Sequence, residues 1–237
     1  MKFESPLISA KLVKRYKRFL ADAILDNGEE ITAHCPNTGS MKTCGQPGDQ
    51  IYLSHHPSPK RKLPYTWELT KTKGGMICIN TNRPNKVVED AITKQAIPEL
   101  TGYASLRREV RYGDKSRIDI LLEDPQRGRC WIEIKSVTLL DGQDLLFPDA
   151  VTSRGLKHIK ELQMKKSEGD RSVLFLLVNR PEGTTFKPAF HIDPDWAAGL
   201  IEAHQDGVEI LAYRNKCTTT EMNIDQKIPV HLHHQII

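Results

Sequence analysis

Three side chains of this sequence could do acid–base or metal chemistry together: Asp119, and thirteen residues later the run Glu133-Ile-Lys135. The stretch from Arg117 to Lys135 reads as two short strands around a turn. Ile118, Ile120 and Leu122 alternate on the first arm, and Ile132 and Ile134 on the second. Asp-Pro-Gln-Arg-Gly between them supplies turn chemistry. A hairpin symmetric about Gln126 faces Asp119 with Glu133 and Arg117 with Lys135, at a cross-strand Cβ separation of about 5 Å. Residues i and i+2 share a face, so Glu133 and Lys135 point the same way.

Paired carboxylates are hard-oxygen ligands for Mg²⁺ or Mn²⁺. A metal held there polarises a phosphodiester and lowers the pKa of a bound water. Lys135 could orient that water or stabilise the transition state. On the helix expected next, Arg154, Lys157 and His158 could hold phosphates or assist proton transfer. The bland alternative is a solvated face carrying an ion pair worth at most about 1 kcal/mol. Against it, the same face holds Trp131 and Val137, which sets the charges among apolar groups.

The elements that must position these groups fall into two parts. Residues 1–82 look all-β. Strands are expected at 15–25, 30–35, 50–56, 66–73 and 75–82, separated by Asp-Asn-Gly, Pro-Asn-Thr-Gly, Pro-Gly-Asp and Pro-Ser-Pro turns. Five short strands without helical periodicity suggest a small barrel of the OB type. Its first arm, Lys11–Phe19, sets five positive charges among two aromatics. Lys14, Arg15, Lys17 and Arg18 are therefore candidates for nucleic-acid contact; a solvated edge strand is the plain alternative. The run His34-Cys-Pro-Asn-Thr-Gly-Ser-Met41 has amides that could meet a phosphate, but it lacks the Gly-Lys-Ser/Thr of a P-loop and reads as a turn.

From residue 83 the texture is α/β. Pro84 can open a helix with Val87, Val88, Ala91 and Ile92 as its apolar stripe, flanked by Glu89 and Asp90. A strand is expected near 106–112, then the hairpin. An amphipathic helix follows at 149–166, with Leu156, Ile159 and Leu162 on one side and Arg154, Lys157, His158, Glu161 and Lys165 on the other. Last come a strand at 171–179, a helix at 194–205 capped by Asp193-Pro194, and a strand at 208–213. The tail from Asn215, with His231, His233 and His234, reads as a mobile or edge-docked terminus rather than a metal site.

The chain has 237 residues, 38% hydrophobic and 27% charged, enough to bury a core. The charge of +4 is uneven: residues 1–82 hold 12 Lys+Arg against 7 Asp+Glu, and residues 83–237 hold 22 against 23. That basic excess is compatible with a polyanion partner. The longest apolar run, Val173–Val178, is too short for a bilayer, and no secretory signal precedes the first strand, so a cytoplasmic protein is expected. Five cysteines, with no Cys-x-x-Cys pair, read as reduced and mostly buried thiols.

The Asp119…Glu133-Ile-Lys135 spacing resembles the PD-(D/E)xK nuclease motif, with Ile118 where the motif's Pro stands. The whole chain resembles the sugar fermentation stimulation protein A (SfsA) family. The resemblance is carried by Phe3-Glu-Ser-Pro-Leu, the 34–41 run, Tyr65-Thr-Trp-Glu-Leu, Ser116-Arg-Ile-Asp119, Glu133-Ile-Lys-Ser-Val-Thr, Phe147-Pro-Asp-Ala-Val, Arg154-Gly-x-Lys-His158 and His191-Ile-Asp193. It implies an OB-like barrel over 1–82 and a restriction-endonuclease-like α/β domain over 83–237. It also implies cytoplasmic DNA binding without marked sequence preference. Asp119, Glu133 and Lys135 match the nuclease core, and Glu89, Asp90 or Glu109 could complete it, or none of them. Two functions compete: a DNA-binding, Mg²⁺- or Mn²⁺-dependent nuclease, and a non-catalytic DNA-binding regulator of sugar (maltose) metabolism. A sugar-binding protein ranks last, because no aromatic platform supports it. No membrane association is expected, and no protein partner can be inferred.

Overall fold

The computed structural model describes residues 1–59, 61–112 and 116–232. Its first strands are β1 (Ile8–Tyr16), β2 (Leu20–Leu25), β3 (Glu30–His34), β4 (Gln50–His55), β5 (Tyr65–Lys71) and β6 (Met76–Cys78). β1 is long enough to pair with β4 along its first half and with β2 along most of its length. β3 pairs with β2 and, through His34 and Thr66, with β5, while β4 pairs with β5. The first five strands therefore close on themselves, which is the OB arrangement. Leu12, Ile51, Leu53 and Trp67 fill the barrel.

The reading of 15–25 as one strand is corrected. The chain reverses at Lys17 and Arg18, whose φ values are +48° and +65°. The loop is three residues, Lys17 to Phe19, and left-handed backbone ordinarily falls to Gly or Asn, so sequence pattern alone gives no sign of this reversal.

Next come α1 (Pro84–Thr93), β7 (Ser105–Tyr112), β8 (Ser116–Asp124), β9 (Gly128–Val137), β10 (Leu139–Asp141), β11 (Asp144–Phe147) and α2 (Ser153–Ser167). They are followed by β12 (Arg171–Val178), β13 (Thr185–Pro188), α3 (Pro194–Gln205), β14 (Glu209–Cys217) and β15 (Met222–Lys227). The main sheet runs β15-β14-β12-β9-β8-β7, with β9, β12 and β14 parallel. α2 and α3 are the crossovers between those parallel strands, and both cover one face through Ile159, Leu162, Trp196 and Leu200. α1 covers the other face with Val87, Val88 and Ala91, in a core that also takes in Leu69 and Cys78 of the barrel.

A small sheet, β10-β11-β13, and the edge strand β15 were absent from the sequence reading. β10, β11 and β13 are three or four residues long, and runs that short carry too little periodicity to mark a strand. The tail docks at β13, where Val230 bridges Phe186 and the His231 amide donates to the Phe186 carbonyl. His233 and His234 lie outside the described residues. All five cysteines are free thiols, four of them buried. Among the described residues, no helix is long and apolar enough to cross a membrane.

One buried ion pair ties the barrel to the start of α1. Glu68 on β5, fully buried, accepts from Ser54 Oγ (2.7 Å), Asn80 Nδ2 (2.8 Å) and Arg83 Nε (2.8 Å) and Nη2 (2.5 Å). Burial opposes ionisation, but Arg83, Ser54 and Asn80 outweigh it and hold the carboxyl below its ordinary 4.5. Its contribution is therefore complete above about pH 4.5 and is lost as pH falls through the depressed value. Glu68→Gln, which strands the Arg83 guanidinium, is expected to cost about 3–5 kcal/mol at pH 7. The loss should shrink towards pH 3. Denaturant titrations at the two pH values check both statements; equal stability of variant and parent at pH 7 contradicts them.

Candidate functional site

The β8–β9 ladder pairs Ile120 with Ile132 and continues to Asp124 with Gly128, a register centred on Gln126. The recorded pairs end at Ile120 and Ile132, and Asp119 and Glu133 are the next residues on the two strands. On the other side, β7 pairs Arg108 with Ile120 and Val110 with Ile118, which sets Glu109 opposite Asp119. Three carboxylates thus fall in one row across β7, β8 and β9. Like charges directly opposite one another repel, and the paired residues of both ladders omit this row. Glu109 has a left-handed backbone conformation, φ +52°. It is exposed and lines the cleft without joining the other two. Among the described residues, no three Asp, Glu, His or Cys side chains converge closely enough to hold a metal.

Asp119 is held on both oxygens. Oδ1 accepts from Asn85 Nδ2 and Oδ2 from the Ile134 amide, each at 2.7 Å. Burial, and then the Glu133 charge, push its carboxyl up to about 6, with those two donors and Lys135 working the other way. Glu133 is 2% exposed. Its Oε1 accepts from Lys135 Nζ at 2.7 Å and contacts His158 Nδ1, and Lys135 Nζ lies 3.3 Å from that nitrogen. Burial works against ionised Glu133, yet His158 and Lys135 outweigh it and keep the carboxyl below its usual range. The two carboxyls are therefore driven apart in acidity, the pattern of groups with different duties. Among the described residues, Glu133 Oε2 is buried without a hydrogen-bond partner. An orphaned carboxylate oxygen beside a second carboxylate is a donor set that fits a hard divalent cation completed by water.

These groups floor a cleft of about 730 Å³, with Arg154, Lys157 and His158 on one wall and Thr38 and Thr81 of the barrel side on the other. A second cavity of about 390 Å³ adjoins it and shares Thr38, Thr81, Asn85, Ile134 and Lys135.

α2 departs from the simple amphipathic reading. His158 and Glu161, expected on its polar side, are buried against the sheet. His158 goes to Glu133, while Glu161 Oε1 accepts from Ser116 Oγ at 2.6 Å and meets Lys157 Nζ at 3.5 Å. Arg154 Nε lies 3.4 Å from His158 Nε2. On the barrel, Lys14 sits near Asp22 (3.5 Å) and over the Tyr16 ring. Arg15 spends its guanidinium on the carbonyls of Arg18, Asn37 and Gly39. Lys17 and Arg18 are exposed at the hairpin tip, and Arg18 lines the smaller cavity.

Neither acidic residue of α1 enters the cleft. Glu89 pairs with Arg108 (3.0 Å), and Asp90 with Lys94 (2.7 Å) and the Met1 amine (2.8 Å). The α1 residue that reaches Asp119 is Asn85, which a search for acids on that helix passes over. Its only trace in the sequence is its place beside Pro84 in the helix's first turn. Because Asn85 stabilises the ionised form of Asp119, Asn85→Ala is expected to move the Asp119 titration above about 6. Carboxyl-carbon NMR reads this directly, and an unmoved titration contradicts the assignment.

Comparison with known proteins agrees with this layout. Residues 82–221 match the family model described as the sugar fermentation stimulation protein RE domain, and residues 13–79 match the SfsA N-terminal OB domain. The chain is 50% identical over 225 residues to the sugar fermentation stimulation protein homologue of Geobacter sulfurreducens, covering 95% of this chain and 96% of that protein. It is 49% identical to the Pelobacter propionicus homologue, with 95% and 97% covered. The structure of Pyrococcus furiosus SfsA in complex with Ca²⁺ matches with a TM-score of 0.88 at 31% identity, covering 98% of each chain. With an OB barrel joined to a restriction-endonuclease-like α/β domain, the chain belongs to the sugar fermentation stimulation protein (SfsA) family.

Proposed function

We propose that this chain is a cytoplasmic DNA-binding protein, largely indifferent to sequence, that cleaves phosphodiesters with Mg²⁺ or Mn²⁺ at Asp119, Glu133 and Lys135. The barrel, taken as 1–82, supplies binding surface, and 83–237 supplies the chemistry. The observation that carries the reading is the buried Oε2 of Glu133, without a hydrogen-bond partner among the described residues and close enough to Asp119 for its charge to raise that carboxyl. The Pyrococcus relative is described in complex with Ca²⁺, which favours the same oxygen ligands.

A divalent cation held by Asp119 and Glu133 supplies Lewis acidity toward the phosphoryl oxygen and acidifies water. The protein's own groups do the rest. Lys135, at the cleft floor, donates to the attacking water or to the charge that develops on phosphorus-bound oxygen. His158 holds Glu133 in place, and Arg154 offers a planar guanidinium to the flanking phosphate. Asn85 and the Ile134 amide fix the orientation of Asp119.

Purified protein should cut DNA with Mg²⁺ or Mn²⁺ and lose at least about 10²-fold in rate in Asp119→Ala or Glu133→Ala. Cleavage that survives either substitution places the site elsewhere. Cation binding requires Asp119 ionised, so Mn²⁺ affinity should hold above about pH 6 and fall below it as protons compete. Calorimetric titration at pH 7.5 and pH 5 reads the difference; equal affinity contradicts it.

A second reading, a regulator of sugar (maltose) metabolism acting by occupancy, draws on one observation: Lys135 and His158 are already engaged with Glu133. On that reading, binding occurs without cleavage under any metal. On either reading, binding is dominated by phosphate contacts, and reversing the charge of Lys14, Lys17 and Arg18 together should flatten the salt dependence by up to about 2–3 in log–log slope. An unchanged slope moves the DNA surface off the barrel tip.

A further inference from the structure

The 34–41 run, a plain turn by sequence, is a fixed roof over the cleft. Asn37 Oδ1 accepts from the Gly39 amide (2.8 Å), and Arg15 Nη2 holds the carbonyls of Asn37 (2.8 Å) and Gly39 (3.0 Å). Thr81 Oγ1 donates to the Pro36 carbonyl at 2.5 Å. On the far side, Asp149 from the loop before α2 accepts from the Ser40 amide (2.8 Å) and Oγ (3.3 Å). It stands so close that Gly39 has no room for a Cβ. Behind the roof, Thr43 Oγ1 donates to the Thr138 carbonyl (3.3 Å), and Arg180 Nη1 binds both, at 3.0 and 2.6 Å. The segment is thus tied to the second domain through Ser40 and, just beyond its end, Thr43, while Thr81 and Arg15 of the barrel side hold Pro36, Asn37 and Gly39. At its apex Thr38 is exposed and lines both cavities, and among the described residues its hydroxyl has no hydrogen-bond partner.

Beneath the roof the reactive groups are recessed. Glu133 is 2% exposed, and the Lys135 side chain 13%. A phosphate must descend between roof and sheet to reach them. The phosphates of a duplex are held on a stiff convex surface, whereas an unpaired strand can bend into a groove and track it with its backbone.

The geometry points to an unpaired strand of nucleic acid as the substrate class, threaded under the Asn37–Gly39 roof, with the Thr38 hydroxyl donating to one of its phosphates. Thr38 is then a positioning residue contributed by the barrel to a cleft in the other domain. Arg18, lining the smaller cavity, meets the strand where it leaves. This rests on the DNA-binding reading above and is independent of turnover.

The test is fluorescence anisotropy with end-labelled oligothymidylate, alone and annealed to oligodeoxyadenylate, using the full chain in EDTA so that cleavage plays no part. The single strand should bind at least about tenfold tighter than the duplex. Thr38→Val should weaken single-strand binding about tenfold or more, the size of one hydrogen bond to a charged group, and leave duplex binding unchanged. Thr38→Trp, also at an exposed position, should narrow the groove and weaken it further. Duplex affinity equal to that of the single strand, or single-strand affinity untouched by both substitutions, overturns the inference. If cleavage fails while the single-strand preference stands, only the nuclease reading falls.

Discussion

The second domain is organised around a carboxylate that has been taken out of water. Glu133, on the middle strands of the sheet, cannot stay ionised at 2% exposure without compensation. Lys135 supplies one cation from the same strand face, and His158 reaches it from α2. That demand explains why α2 turns an imidazole inward where its apolar stripe should run. It also bears on why Asp119 is harder to ionise. Its own burial, and then the charge of Glu133 close by, drive the Asp119 carboxyl up to about 6. Among the described residues, one oxygen of Glu133 is still left without a hydrogen-bond partner. The site is stable enough to fold yet electrostatically incomplete, the condition a divalent cation relieves.

The barrel is part of the same construction rather than an appendage. Leu69 and Cys78 enter the core shared with α1, and Glu68 and Arg83 form a buried pair at the point where β6 hands over to α1. With Asp149, Thr43 and Arg180 they hold the barrel's loop over the cleft. The cleft is therefore walled by both domains, and its shape depends on contacts far from the carboxylates.

Much of this was legible in the residues because the relevant signals are local. Alternation set the β8–β9 register about Gln126, and the ladder follows it. The helix at 194–205 was marked by Asp193 and Pro194, and the Asp193 side chain does accept from the Trp196 amide. What was not legible depends on long-range geometry. Asn85 reaches Asp119 across 34 positions, and nothing in an amide's neighbours announces that. The reversal at Lys17-Arg18 uses residues that ordinarily avoid left-handed backbone. His158 and Glu161 broke the amphipathic pattern of α2 because buried polar groups follow their partners, which lie on other strands. The 34–41 run looked like a turn; beyond His34, which ends β3, it is irregular chain with a bend at Gly39, and its role comes from what it covers.

The central claim is that Asp119 and Glu133 jointly hold a hard divalent cation. The most direct measurement is an anomalous difference map from a crystal of the protein soaked in Mn²⁺ at neutral pH. The account predicts a single strong peak within coordination distance of Glu133 Oε2 and an Asp119 oxygen, absent from Glu133→Gln. A map empty at that position, or a peak held by other residues, contradicts it.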